Sequence, residues 1–166
     1  MGTATLNDPR DLDQYFRTMS AAAGSSLGTS AWFALSQRDV DLYGCLVEDL
    51  DPMHNDPGWQ AGKERWGGTI VHGSTALAMV PRFLAEVGLP VAVRSVAYSI
   101  EHIPRVRFVR PLRVGQRARA HIELMDVTQN DAAWLTTTGV RVEREGADQP
   151  FMHAVVVSAF RRMEKS

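Results

Sequence analysis

Polar and apolar positions change their period near the middle of the chain. Residues 11–22 suit a short amphipathic helix, closed by a loop at Gly24-Ser25-Ser26. A short strand is expected at residues 31–35. Ser36-x-x-Asp39 then reads as a capping signal for a helix through Val40, Leu42, Tyr43 and Leu46. Residues 49–68 are loop-rich, with Pro52, Pro57, Gly58, Gly62, Gly67 and Gly68. After His72-Gly73, the positions Ala76, Leu77, Ala78, Met79, Val80, Phe83 and Leu84 leave almost no polar face, which predicts a buried helix. Pro81 bends it by removing one backbone donor, and Gly88-Leu89-Pro90 ends it. Beyond that point the period is two. Arg117, Arg119, His121 and Glu123 alternate with Ala118, Ala120, Ile122 and Leu124, the mark of a half-buried strand. Residues 91–100, 106–109, 134–143 and 151–160 complete the set, with a turn at Glu145-Gly146.

Helices followed by four or five antiparallel strands define an α+β layout in which a sheet can wrap around the apolar helix. A sheet of that kind keeps open edges unless a second copy covers them, so a homodimer is expected. With 166 residues and no repeat or linker, residues 1–166 read as a single domain. No apolar run is long enough to span a bilayer, and Met1 to Pro9 lack the layout of a signal peptide. The single cysteine, Cys45, cannot form an internal disulfide and is expected to pack as a small hydrophobe. These features point to the cytoplasm. A net charge of -1 argues against a nucleic-acid partner. Only Lys63 and Lys165 are lysines, however, and Arg94, Arg105, Arg107, Arg110, Arg113, Arg117 and Arg119 crowd one stretch. Some of these guanidinium forks could hold a phosphorylated tail; the alternative is a solvated strand face with cross-strand ion pairs.

The chemistry concentrates in Glu48-Asp49-Leu50-Asp51-Pro52-Met53-His54-Asn55-Asp56. On a continuous helix Asp49 and His54 would diverge. Pro52 disfavours that helix and biases Asp51 toward an extended conformation, so the chain turns and both side chains can face one point. A carboxylate and an imidazole converging on a water can move protons in both directions near neutral pH. The spacing matches neither an EF-hand nor H-E-x-x-H, so no metal and no cofactor is called for. Cys45 has no positioned base around it, and no G-x-S-x-G elbow is present. A second element, Gly67-Gly68-Thr69-Ile70-Val71-His72-Gly73-Ser74, combines glycines that admit close backbone approach with the start of a helix. Its N–H groups could stabilise an enolate oxygen.

Together the two elements resemble the MaoC-like dehydratase family, which includes the (R)-specific enoyl-CoA hydratases. The family pattern is roughly S/T-G-D-x-N-P-x-H-x-D, then an aromatic-glycine turn and I-x-H-G. Here it runs from Glu48 to Asp56 and from Trp66 to Gly73, and the branch similar to nodulation protein N is nearest. The resemblance implies a hot-dog fold, a curved antiparallel sheet wrapped around a long central helix, and a dimer acting on acyl thioesters such as acyl-CoA. It implies Asp49 and His54 as the catalytic pair and Gly73 as the backbone oxyanion donor. Asp51, Gly68, His72 and Ser74 are candidate substrate contacts. Tyr98, with Trp59, Trp66, Met79 and Phe83, is a candidate tunnel lining. Two positions depart from the pattern: Glu48 stands where the family has glycine, and Asp51 where it has asparagine. They also crowd carboxylates around Asp49. The rival readings are a hot-dog thioesterase, a non-catalytic thioester-binding subunit, and a dehydratase of a carrier-bound metabolite.

Overall fold

A computed structural model describes residues 9–163. Met1 to Asp8 and Lys165 lie outside the described residues, and with them most of the stretch read for a leader. The first helix, α1 (Pro9–Ser20), forms where expected. Its buried face carries Leu12 and Phe16; the Phe16 ring lies 5.6 Å from Trp134 and 5.0 Å from Phe160. The Trp134 indole N–H donates to Asp13 Oδ1 at 2.7 Å, and this bond is the main reason the Asp13 carboxyl sits below its ordinary range.

The next segment corrects the expectation. Gly24-Ser25-Ser26 leads into β1 (Ser25–Thr29), while residues 31–35 form only one bridge, Phe33 to Ala118. The β1 sequence is polar because it is an edge strand, so it carries little apolar signal. It bulges at Gly28, whose φ of 128° suits glycine. Past Thr29 the Ser30 hydroxyl accepts the Ala120 N–H at 2.8 Å, and Phe33 turns into the core 5.5 Å from Phe83.

Ser36 caps α2 (Gln37–Val47) as expected, in a reciprocal arrangement with Asp39. Two short helices occupy the region expected to be loop, α3 (Pro52–Asn55) and α4 (Gln60–Trp66). Pro52 opens α3 instead of preventing it, because a first-turn residue has no carbonyl to lose. The apolar helix is a rod in two pieces, α5 (Gly73–Ala78) and α6 (Val80–Glu86), broken at Met79 by the missing donor of Pro81.

The strands β2 (Val96–Phe108), β3 (Ala118–Gln129), β4 (Trp134–Arg144) and β5 (Met152–Arg162) join β1 in one antiparallel sheet of order β1-β3-β4-β5-β2. The two strands expected at 91–100 and 106–109 are one strand. Register shifts between Ile100 and His102 and between His102 and Arg105 absorb the residues around Pro104, which an edge strand tolerates. On the inner face Ala118, Ala120, Ile122, Val140, Val142, Met152, Ala154 and Val156 are buried with Ala76, Val80, Phe83 and Leu84 of the rod. The alanines let the helix lie close to the strands. A curved antiparallel sheet around a helical rod is the hot-dog fold, and it places Gly73, the first residue of α5, against Phe108 at the end of β2. Among the described residues no helix is long and apolar enough to cross a membrane.

Candidate active site

The site begins where α2 ends. Glu48 occupies the left-handed region at φ 57°, ψ 31°, and is the one non-glycine residue with positive φ among those described. This conformation reverses the chain over Gly44, whose carbonyl accepts the Asp49 N–H at 3.0 Å. A Cβ on Gly44 would sit 2.9 Å from the Asp49 carbonyl oxygen and from Asn55 Oδ1, so the turn requires glycine there. The two departures from the family pattern thus have simple local roles. Glu48 adopts the conformation glycine adopts most easily. Asp51 has φ -56° and ψ 135°, and its carboxylate accepts the Met53 N–H at 2.9 Å, capping α3 as an asparagine can.

His54 is buried on α3, and its Nδ1 lies 2.7 Å from the Ile70 carbonyl oxygen. A carbonyl only accepts, so Nδ1 carries the proton and the neutral ring presents an unprotonated Nε2. The segment holding Ile70 is itself pinned: its N–H donates to Met53 O at 2.9 Å, and Val71 N–H donates to Leu112 O at 2.8 Å. Gln37 ties this frame to α2, giving its amide N–H groups to the His54 carbonyl (2.7 Å) and to Asp41 (2.8 Å) and accepting the Thr69 hydroxyl at 2.5 Å.

His72, just before α5, is 2% exposed. Its Nε2–H donates to the Asp49 backbone oxygen at 2.9 Å and lies 3.8 Å from Asp49 Oδ2. Its ring stacks on His54 at 3.8 Å with a tilt of 26°, and Tyr43 packs on it at 5.3 Å. Side-chain oxygen and nitrogen atoms of Asp49, His54 and His72 fall within 4.8 Å of one another, with the Asp49 carboxylate half exposed. Two hydrogen bonds of about 2.7 Å would span such a gap through one water. The same three groups have the chemistry of a cation site. In His72 the Nε2 nearest the Asp49 carboxylate is already a donor to the Asp49 backbone oxygen, whereas His54, with Nδ1 donating to Ile70, keeps a free Nε2 lone pair.

The structure brings Asp49, His54 and Gly73 to one end of the rod. Gly68 takes φ 145° in the segment before Ile70, and Ser74, the second residue of α5, is exposed. Two of the expected substrate contacts sit away from the open side of the pair. His72 is enclosed behind Asp49 and His54, where it donates to the Asp49 backbone oxygen. Tyr98 lies ten residues before Phe108 on β2, roughly 30 Å along the strand at 3.3 Å per residue, where its ring packs at 5.4 Å on Phe160. Cys45 is exposed, not packed. Gly44, Gln37, Tyr43 and Thr69 were not legible as site residues. A glycine inside a helical pattern was the one available signal, for Gly44.

A hot-dog sheet whose rod begins beside a carboxylate–imidazole pair makes a site chemically able to transfer protons. Comparison with known proteins gives the family. Residues 18–146 match the MaoC like domain, and the chain belongs to the MaoC-like dehydratase family. It is 33% identical over 134 residues to 3-hydroxyacyl-thioester dehydratase Z of Mycobacterium tuberculosis, covering 80% of this chain and 86% of that protein. It is 32% identical over 138 residues to nodulation protein N of Rhizobium meliloti, covering 82% and 84%. The R-hydratase PhaJ1 of Pseudomonas aeruginosa has a similar fold, with a TM-score of 0.65 at 20% identity over 86% of this chain and 83% of that one.

Proposed function

We propose that the protein interconverts trans-2-enoyl thioesters and (3R)-hydroxyacyl thioesters by syn addition of water. The observation that carries this reading is the placement of the Asp49 carboxylate within 4.8 Å of a His54 ring whose Nδ1 is bound to Ile70. In the hydration direction the water sits between them. His54 Nε2 takes one proton as the oxygen attacks the β-carbon; Asp49 accepts a hydrogen bond from the water's other O–H, which stays intact as the product hydroxyl, and stabilises the imidazolium. The electron pair of the double bond moves to the α-carbon and on to the thioester oxygen. The imidazolium then returns its proton to the α-carbon on the same face, so atoms and charges balance. Gly73 N–H, at a helix start that has no carbonyl one turn back, is the donor to the enolate oxygen. Its Cα is packed against the Phe108 ring, since an added Cβ would meet that ring at 3.0 Å, and this close packing fixes the direction of the N–H.

The arginine-rich stretch divides. Arg117 and Arg119 pair with Glu145 and Glu143 and flank Trp32, which supports the ion-pair reading for both. Arg113 shares a cleft of about 770 Å³ with Lys63, Gly68 and Thr69, next to Ile70, and this cleft is our choice for the phosphates of a CoA or carrier tail. The open edges of β1 and β2, with exposed Leu42, Leu46 and Leu50 beside Asp49, favour a homodimer. Loss of enoyl absorbance with crotonyl-CoA and longer enoyl-CoAs tests the activity. Hydration that is abolished in Asp49→Asn and His54→Ala supports the roles; full activity in both overturns them. Release of free CoA without hydration would favour the thioesterase reading.

A further inference from the structure

The outer face of the sheet carries cations that this chemistry does not use. The alternation that turns Ala120, Val142 and Ala154 inward turns the residues beside them outward. In register, Arg107 lies opposite His153, His153 opposite Arg141, and Arg141 opposite His121, a single row across β2, β5, β4 and β3. Like charges directly opposed across strands destabilise a sheet. Glu143 compensates one end, 2.6 Å from His121 and 3.7 Å from Arg141. At the other end Arg105, Arg107 and His153 make no side-chain hydrogen bond or ion pair among the described residues. Burial and the three neighbouring guanidinium groups hold the His153 imidazole below its ordinary range.

The adjacent row supplies the shape. Arg105 is opposite Val155, Val155 opposite Gly139, and Gly139 opposite Glu123. Gly139 leaves a bare floor, where a Cβ would have its nearest neighbour, Met125 Sδ, at an ordinary 3.6 Å. The result is a groove of about 680 Å³ with its cations at the β2 end and Glu123 toward β1.

We propose that this groove binds a small phosphate-bearing metabolite, its phosphate held by Arg105, Arg107, Arg141 and His153 and an N–H or O–H at its other end donating to Glu123. Guanidinium forks match phosphate oxygens, and an anion there removes the cross-strand repulsion. A second copy of the same face would bring the basic row against itself. The groove and Gly73 lie on opposite faces of the sheet, since Phe108, next to Arg107, turns away from the groove to cover Gly73.

The test is calorimetric titration of the full chain with ADP and, separately, with inorganic pyrophosphate, alongside crotonyl-CoA turnover. ADP should bind, and Arg105→Gln/Arg107→Gln should weaken it at least about tenfold through lost charge-assisted bonds. Gly139→Val, which changes no charge and suits a strand, should weaken it too by filling the floor. Turnover should be unchanged in both variants. No binding of either anion to the unmodified chain at millimolar concentration, or equal binding in both variants, overturns the site. Equal affinity for pyrophosphate and ADP overturns the Glu123 contact. Displacement of ADP by acetyl-CoA at the groove overturns its separateness from substrate. Absence of turnover in the unmodified chain would sink the hydratase reading and leave the titration to decide the groove.

Discussion

On the inner face of the sheet, position is set by bulk: Ile122, Val140, Met152 and Val156 fill the space around Phe83 and Leu84, and each contact is non-directional. Across residues 44–73 position is set by hydrogen bonds. His54 is held by Ile70, the Asp49 backbone by His72 and Gly44, and α3 by Asp51 and Gln37. The first region tolerates small adjustments through repacking, whereas the second depends on directional bonds between a few fixed partners. Stability and catalysis should therefore separate between them.

The sharpest test of that separation is substitution of the pair itself. His54→Ala and Asp49→Asn should each lower kcat/KM for crotonyl-CoA by about 10²- to 10⁴-fold, the usual worth of general acid–base groups; melting temperature should be little changed in Asp49→Asn, and lowered in His54→Ala, which leaves the Ile70 carbonyl unpaired. Gly44→Ala should come next. It pushes the Asp49 carbonyl and Asn55 apart, and displacement of a catalytic group by about 1 Å costs about 10²-fold. Retained activity in Gly44→Ala would show that the turn is softer than its hydrogen bonds suggest. Phe83→Ala should do the opposite, removing about 3–5 kcal/mol of stability in denaturant titration while the folded fraction keeps its specific activity.

Smaller effects probe the two atypical residues. Glu48→Gly should stabilise the chain by about 1 kcal/mol by relieving a left-handed side chain. Asp51→Asn should stay within about 0.5 kcal/mol, since asparagine caps equally well. Thermal melts at fixed pH check both. The smallest effect concerns His153. Its folded pKa lies below the ordinary 6.5, so the unfolded chain binds the proton more readily, and stability is lost as pH falls through 6.5 toward the folded value. His153→Gln should remove that part of the acid sensitivity, seen as a smaller drop in melting temperature between pH 7 and pH 5.

Legibility follows the same division. The alternation from Arg117 to Leu124 and the all-round apolar run before Pro81 report burial directly, so the long strands and the broken rod could be read from the chain. Strand β1 was misplaced because an edge strand of serines and glycine buries too little to leave a pattern, while Phe33 and its neighbours carry apolar residues for core contact without a ladder. At the site, the turn between Asp49 and His54 follows from Pro52, and the two motifs single out Gly73 as a candidate. The stacking of His72 on His54 and the frame from Gln37 join residues distant in the chain, and no local spacing encodes such a contact. Glu48 and Asp51 looked disruptive as charges. Their backbone conformations show what the positions ask for, a left-handed turn and a cap.

Cys45 gains importance from where it stands. It is the only thiol in the chain, it is exposed, and it adjoins the glycine over which the Asp49 turn closes. A fluorine tag attached there would give one NMR signal free of competing labels. That signal would compare the conformation of the turn with and without ligand, while leaving the Asp49 and His54 side chains intact.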